Sequence, residues 1–192
     1  MKMIDKILEI DRIFFLFLNN LGTSSWDPFW IIISNKICMF FVLSSIILFS
    51  LFKHKQQAKY IIYTMIFMIL CICLTDLVHV HMFKNTFMRL RPCWDPEISS
   101  LTRIIEGKGG YYGFVSGHSA NSAALVSFFL LSYRNTHWLV KYTLITWVFL
   151  VSYSRIYLGK HYTLDVLFGM LLGFLIGFIV FKLYHFYIKQ KQ

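Results

Sequence analysis

Five long apolar segments constrain the fold of this chain more than any other feature of its sequence. They cover approximately residues 29–52, 60–83, 118–133, 138–153 and 164–187. A helix needs about 20 mostly apolar residues to cross a bilayer, and the third and fourth segments are shorter than that. Hydrophobic residues make up 57% of the 192 and charged residues only 15%, which leaves too little polar surface for a soluble globule. The sequence therefore predicts an all-α integral membrane protein, a bundle of about five transmembrane helices forming a single domain over 1–192.

The N-terminal segment, residues 1–27, has a different pattern. Apolar residues such as Ile7 and Phe14 are interleaved with charged residues such as Lys6 and Arg12. This pattern is typical of an amphipathic helix that lies in the membrane interface. A sixth span would bury several of these charges, so we predict an interfacial helix here.

The net charge of +10 also constrains the topology. In a soluble protein such a charge would favour nucleic acid as a partner, but in a membrane protein basic loops mark the cytoplasmic side. One side of a five-span topology carries the basic residues Lys53, Lys55, Lys59, Arg134, Lys141, Lys189 and Lys191. We therefore predict membrane lipids and no nucleic acid as partners. The opposite side would face the periplasm or the outside of a bacterial inner membrane.

The outward connections nevertheless carry cations that this rule does not explain. Lys84 and Arg91 are seven residues apart, which predicts two turns along one face of a helix that ends before Pro92. A guanidinium fork and an ammonium on one stripe suit a phosphate group. Contact of both side chains with lipid headgroups explains the pair equally well when it is considered alone.

A second cluster, Ser116, Gly117 and His118, begins the third apolar segment. Free backbone N–H groups at a helix N-terminus form an anion site, and a glycine lets the backbone approach closely. Ser116 adds a hydroxyl that binds the anion or caps the helix. His118 can exchange a proton near neutral pH, although a single histidine at a span end is more often structural.

A third cluster contains Arg155, His161 and Asp165. His161 and Asp165 are four residues apart at the start of the fifth segment, so their side chains can meet. A carboxylate on one imidazole nitrogen fixes the tautomer and leaves the other nitrogen nucleophilic. A structural hydrogen bond is the alternative for this pair alone. Together the three clusters supply the cations, nucleophile and acid that phosphoryl transfer requires.

These residues resemble the type 2 phosphatidic acid phosphatase family, whose motifs are K-x6-RP, PSGH and SR-x5-H-x3-D. The match covers 84–165 in the right order and spacing, except that Val115 replaces the usual proline of the second motif. Many relatives have six spans, whereas we predict five and an interfacial helix for this chain. The resemblance implies that His161 attacks phosphorus, Asp165 orients it and His118 protonates the leaving oxygen. It also implies a phosphate site formed by Lys84, Arg91, Ser116, Gly117 and Arg155.

The resemblance further implies a metal-independent lipid phosphate phosphatase without a cofactor. Undecaprenyl diphosphate and lipid A are the favoured substrates, and phosphatidic acid and phosphatidylglycerol phosphate remain alternatives. A non-catalytic anion-binding or transport protein is an alternative of another class, although no repeat or broken helix pair supports it. Vanadate-dependent haloperoxidases share this pocket but are soluble and larger. The sequence carries no information on oligomeric state.

Two charged residues inside the apolar segments need partners. Asp76 lies in the second segment, and we favour a structural pairing over a catalytic role. Lys36 interrupts the first segment beside Asn35. It either points into the site and contacts a phosphate, or extends its stem toward the membrane surface.

Overall fold

A computed structural model describes residues 3–53 and 57–190. The helices in chain order are α1 (Met3–Asn20), α2 (Asp27–Ser34), α3 (Lys36–Lys53), α4 (Ala58–Val78), α5 (Asn85–Phe87), α6 (Gly117–Ser132), α7 (Trp138–Tyr157) and α8 (Thr163–Lys189). Apart from one isolated bridge between Leu90 and Tyr112, regular structure in these residues is helical. The all-α membrane fold is thus confirmed. Lys55 and Lys191, which contributed to the predicted orientation, lie outside the described residues.

Length and composition identify fewer spans than the five predicted. In the described ranges, Ala58–Phe87 and Thr163–Lys189 are long and apolar enough to cross a membrane. The α2–α3 pair makes a third span if it crosses as one unit. Helix α6 has 16 residues, about 24 Å of helix, which is shorter than a ~30 Å hydrocarbon core. The count of five spans therefore stays a prediction.

The first apolar segment is not one straight helix. Helices α2 and α3 meet at an angle of 60° at Asn35, whose backbone is extended. The Asn35 side-chain oxygen accepts hydrogen bonds from the N–H groups of Ile37 (2.9 Å) and Cys38 (3.1 Å). This is the geometry of a helix N-cap, so Asn35 ends one helix and begins the next. As a result Lys36 stands at the N-terminus of α3 rather than in the middle of a span.

The segment after α4 corrects a second expectation. The chain continues from α4 through a π-helical segment, His79–Lys84, and helix α5 ends at Phe87. Met88 is left-handed, with φ of 44°, and Arg91 is extended. Lys84 and Arg91 therefore do not share a helical face, because the helix ends before Arg91. The N–H of Arg91 donates to the Tyr111 carbonyl oxygen (2.9 Å), and this bond holds Arg91 within the connection between α5 and α6.

Among the described helices, α6 and α8 form the most extensive contact. Gly169, Gly173 and Gly177 lie four residues apart along α8, and a side chain at any of them would collide with α6. Small residues at this spacing let membrane helices pack backbone against backbone. At the top of this contact the N–H of Ser116 donates to the carbonyl oxygen of Asp165 (2.9 Å). The second and third sequence clusters are thereby fixed against each other.

Helix α1 packs on the same end of the bundle. Asp11, Phe15 and Asn19 form its buried stripe, with a spacing of four residues. The Asn19 amide donates to the carbonyl oxygens of Ile156 (3.0 Å) and Tyr157 (2.9 Å) at the end of α7. The exposed sides of α1 carry mostly apolar residues, together with the charged residues Asp5, Lys6 and Glu9. The helix is amphipathic as predicted, and the polar side chains of Asp11 and Asn19 contact the protein.

Candidate active site

A cavity of about 430 Å³ opens where α3, α4, α6 and α7 meet the connection between α5 and α6. The predicted site residues that line it are Lys84, Arg91, Gly117, His118, Arg155 and His161. Asp165 and Ser116 lie behind this lining and are fully buried. The structure therefore brings the three sequence clusters to one cavity, although 77 positions separate Lys84 from His161.

The cavity is strongly cationic. Lys36 joins Lys84, Arg91 and Arg155 in its lining, while Asp76 is the one carboxylate there among the described residues. Cations that face a common cavity repel one another, and an anion bound between them relieves that repulsion. The arrangement favours a phosphate dianion over a neutral ligand.

Arg155 is held from two sides. It is buried near the C-terminus of α7, and its guanidinium donates a hydrogen bond to the hydroxyl oxygen of Ser34 at the end of α2. Within the described ranges its Nε has no hydrogen-bond partner. A buried guanidinium N–H without a partner is costly, and a phosphate oxygen would satisfy it.

His161 lies just before α8 and faces the carboxylate of Asp165. Its Nδ1 is 3.6 Å from Oδ2 of Asp165 and has no hydrogen bond to any described residue. The same Oδ2 accepts from the N–H of Tyr162 (3.0 Å), so Asp165 also closes the capping box of α8. Burial lowers the pKa of His161 well below its ordinary value, and the nearby Arg91 and Arg155 act in the same direction. The imidazole is therefore neutral at pH 7, as a nucleophile must be.

The second cluster differs in detail from its predicted form. The Ser116 hydroxyl makes no cap and accepts from the hydroxyl of Ser119 (3.1 Å), while its N–H is used by Asp165. A Cβ on Gly117 would lie 2.7 Å from Nε2 of His79, so the glycine makes room for that ring. Gly117 and His118 begin α6, where backbone N–H groups point out of the helix end.

Lys36 and Asp76, the two charged residues within the apolar segments, both line this cavity. Lys36 therefore points into the site rather than toward the membrane surface. Asp76 accepts a hydrogen bond from the side-chain amide of Asn121 (2.9 Å), and its Oδ1 is 3.6 Å from Nδ1 of His79. Asp76 thus pairs with Asn121 of α6 and with His79, which directly follows α4.

Sequence reasoning missed two residues behind the His161–Asp165 dyad: Arg89, which contacts Asp165, and Asp11, which contacts Arg89. Arg89 donates from NH1 to Oδ1 of Asp165 (2.8 Å) and from NH2 to Oδ2 of Asp11 (2.7 Å). In the sequence, Arg89 is one of several basic residues near Lys84 and Arg91, and no spacing predicts its partners. Asp11 shares a stripe with Phe15 and Asn19, which was the one available signal that it is buried.

The arrangement has the parts needed to transfer a phosphoryl group. A neutral imidazole, a second histidine and several cations face one cavity, and a buried carboxylate lies behind the first imidazole. Phosphoryl transfer depends mainly on positioning and on neutralising the charge of the phosphoryl oxygens. Over residues 3–53 and 57–190, no three His, Cys, Asp or Glu side chains come together as metal ligands.

Two known phosphatases are similar to this chain over most of its length. A lipid A 4′-phosphatase of Porphyromonas gingivalis is 35% identical over 181 residues, covering 93% of this chain and 74% of that protein. A lipid A 4′-phosphatase of Bacteroides thetaiotaomicron is 32% identical over 188 residues, and this alignment covers 95% of this chain and 80% of that protein. The likeness thus extends beyond the motifs to α1.

The fold has a counterpart among solved structures. The crystal structure of a transmembrane PAP2-type phosphatidylglycerolphosphate phosphatase from Bacillus subtilis superposes with a TM-score of 0.67. That comparison covers 91% of this chain and 84% of the other, at 21% identity. The PAP2 superfamily model matches residues 64–189, more than half of the sequence. The chain therefore belongs to the PAP2 superfamily.

Proposed function

We propose that this PAP2-family phosphatase of envelope lipids removes the 4′-phosphate of lipid A. The observation that carries the proposal is the cationic cavity beside a neutral His161, at the ends of apolar helices. A lipid can place its phosphate there while its acyl chains stay in the bilayer. The choice of lipid A is supported by two lipid A 4′-phosphatases that resemble nearly the whole chain.

In the first step, Nε2 of His161 attacks phosphorus, because Nδ1 is the nitrogen that faces Asp165. The N–P bond forms as the bond from phosphorus to the sugar oxygen breaks. His118, whose protonated form the bound phosphate dianion favours, gives its proton to that oxygen, and the dephosphorylated lipid leaves. Lys84, Arg91 and Arg155 neutralise the phosphoryl oxygens as charge develops on them.

In the second step, water attacks the phosphohistidine. His118, now neutral, takes a proton from the water as the new O–P bond forms and the N–P bond breaks. Inorganic phosphate leaves, and His161 is again neutral. Asp165 stabilises the positive charge on the His161 ring during both steps. Neither step requires a metal ion.

Phosphate release from matched lipids tests this function. Purified protein in detergent with EDTA should release one phosphate from each bisphosphoryl lipid A. It should release none from 1-monophosphoryl lipid A, which lacks the 4′-phosphate. The comparison panel contains undecaprenyl diphosphate, phosphatidylglycerol phosphate and phosphatidic acid, and we expect lower kcat/KM on each of them.

Two results would contradict the assignment. A higher kcat/KM on undecaprenyl diphosphate would move the substrate to polyprenyl carriers while leaving the chemistry in place. Loss of all activity in EDTA, with recovery on adding a divalent cation, would contradict the metal-independent mechanism. His161→Ala protein provides the blank for every lipid.

We also propose that the cavity faces the periplasm across a bacterial inner membrane. Support comes from Arg134, Lys141 and Lys189, which lie at the other end of the bundle. Single cysteines test this orientation at two exposed positions: Gly107→Cys near the cavity, where a Cβ meets no atom within 4 Å, and Asn135→Cys at the opposite end. A membrane-impermeant maleimide should label the first and not the second in intact spheroplasts. The reverse pattern would invert the topology.

A further inference from the structure

A buried ionic chain links the N-terminal helix to the acid of the dyad. NH2 of Arg89 lies 2.7 Å from Oδ2 of Asp11, and NH1 of Arg89 lies 2.8 Å from Oδ1 of Asp165. The side chains of Asp11 and Asp165 are 3% and 0% exposed, and that of Arg89 is 17% exposed. Charges this deeply buried hold their geometry closely, because each has few alternative partners.

Arg89 is fixed on its face as well as at its two ends. Its guanidinium lies 4.0 Å from the centre of the Tyr162 ring, as a cation–π contact. Asp11 is fixed too, because its Oδ1 accepts from the N–H of Leu164 in the first turn of α8 (3.0 Å). The carboxylate of Asp11 thus joins α1 to Arg89, in the connection between α5 and α6, and to the start of α8.

The division of the guanidinium between two carboxylates affects the dyad directly. An arginine with a single carboxylate favours a bidentate pairing that occupies both oxygens. Here Asp11 holds one NH2 group of Arg89, so Arg89 contacts only Oδ1 of Asp165. The second oxygen, Oδ2, stays directed at His161 and at the N–H of Tyr162.

We propose that Asp11 and Arg89 are positioning residues for catalysis, which act through Asp165 and keep its Oδ2 facing the nucleophilic imidazole. The catalytic dyad is therefore complete only when the interfacial helix α1 is docked. Exposed apolar residues of α1, such as Ile13, lie on the side away from Asp11. One helix thus carries both an exposed apolar surface and the residue that positions the dyad.

This inference rests on the proposed function and is tested with the lipid that the protein turns over best. Asp11→Asn should lower kcat about tenfold and Arg89→Met about 100-fold, with KM within about twofold of the parent. Arg89→Lys should recover part of the loss, because an ammonium restores the charge without the fork. Glu9→Gln is the matched control, since it removes a carboxylate from the exposed side of α1 and should leave kcat unchanged.

A double-mutant cycle separates positioning from a purely structural role. In an Asp165→Asn background, Asp11→Asn should change kcat by less than about twofold, because the group it acts through is already gone. Asn19→Ala loosens α1 without touching either carboxylate, and its thermal unfolding gives the reference for weakened docking. An undiminished tenfold loss in the Asp165→Asn background would overturn the inference. The inference would also be overturned if Asp11→Asn kept the wild-type kcat while His161→Ala was inactive. If His161→Ala were itself active, the proposed function would be refuted instead.

Discussion

Replacing His161 with alanine is expected to lower kcat for lipid phosphate release by about 10⁴-fold or more, the scale seen when a catalytic nucleophile is removed. The imidazole is buried, neutral and directed at the cavity, with its other nitrogen facing Asp165. His79 in the same cavity also lies 3.6 Å from a carboxylate, that of Asp76, but the Asp76 side chain is 55% exposed whereas that of Asp165 is fully buried. Single-turnover assays with ³²P-labelled substrate should show acid-labile phosphoenzyme in the parent and none in the variant.

The matched control for this change is His79→Gln. His79 lines the same cavity and is also buried, but its Nδ1 donates to the Thr75 carbonyl oxygen (2.9 Å) as part of the α4 helix end. Its replacement should cost stability and leave the phosphoenzyme intact. Binding of inorganic phosphate, measured by protection against thermal unfolding, should persist in His161→Ala because the cations remain. A kcat within tenfold of the parent would rule out His161 as the nucleophile.

Replacing His118 with alanine should produce a loss that depends on the leaving group. With a lipid phosphomonoester the departing oxygen is strongly basic, so removing the general acid should cost about 10³-fold in kcat. With an aryl phosphate the departing phenolate needs little protonation, and its release in the first turnover should slow by less than about tenfold. The second step still needs His118 to activate water, so phosphoenzyme should accumulate.

Burst kinetics test this prediction. An aryl phosphate mixed rapidly with His118→Ala should give one equivalent of phenolate quickly, followed by slow turnover. The double variant His118→Ala, His161→Ala should show no burst, which ties the burst to the nucleophile. Equal losses on the lipid and the aryl phosphate would contradict the acid role and leave His118 as a phosphate-binding group.

The sequence predicted the parts of the site that depend on local spacing. His161 and Asp165 are four residues apart, and His118 follows a glycine at a helix start, so short-range geometry sufficed to place them. Their convergence on one cavity followed from the topology, because helix ends on the same side of a bilayer are brought together. The motif resemblance supplied the roles that spacing alone left open.

The helical stripe predicted for Lys84 and Arg91 was wrong, although both residues reach the cavity. Periodicity describes only a chain that stays helical, and Met88 adopts a left-handed conformation that ends the helix. The bend at Asn35 likewise depends on a side chain that caps α3, which an apolar count does not detect.

Asp11 and Arg89 could not be identified from the sequence for a different reason. They lie 78 positions apart, and their ion pair exists only because α1 docks on the bundle through Phe15 and Asn19. Before that docking is known, Asp11 is one of several charges on an amphipathic helix. Long-range pairs of this kind carry no periodic signal.

The glycine contact between α6 and α8 has a mechanical consequence for substrate entry. Backbone-to-backbone packing leaves these two helices no side chains that could change rotamer and let them slide or turn. They carry His118 and Asp165, so the distance across the reactive centre is set by the main chain. On the other side of the cavity, α3 begins at Lys36 after a bend and has much smaller contacts with α6 and α7. The cavity thus has one wall held by close backbone contact and one wall, α3, held by much less contact, so we expect a bound ligand to displace α3 before the α6–α8 pair.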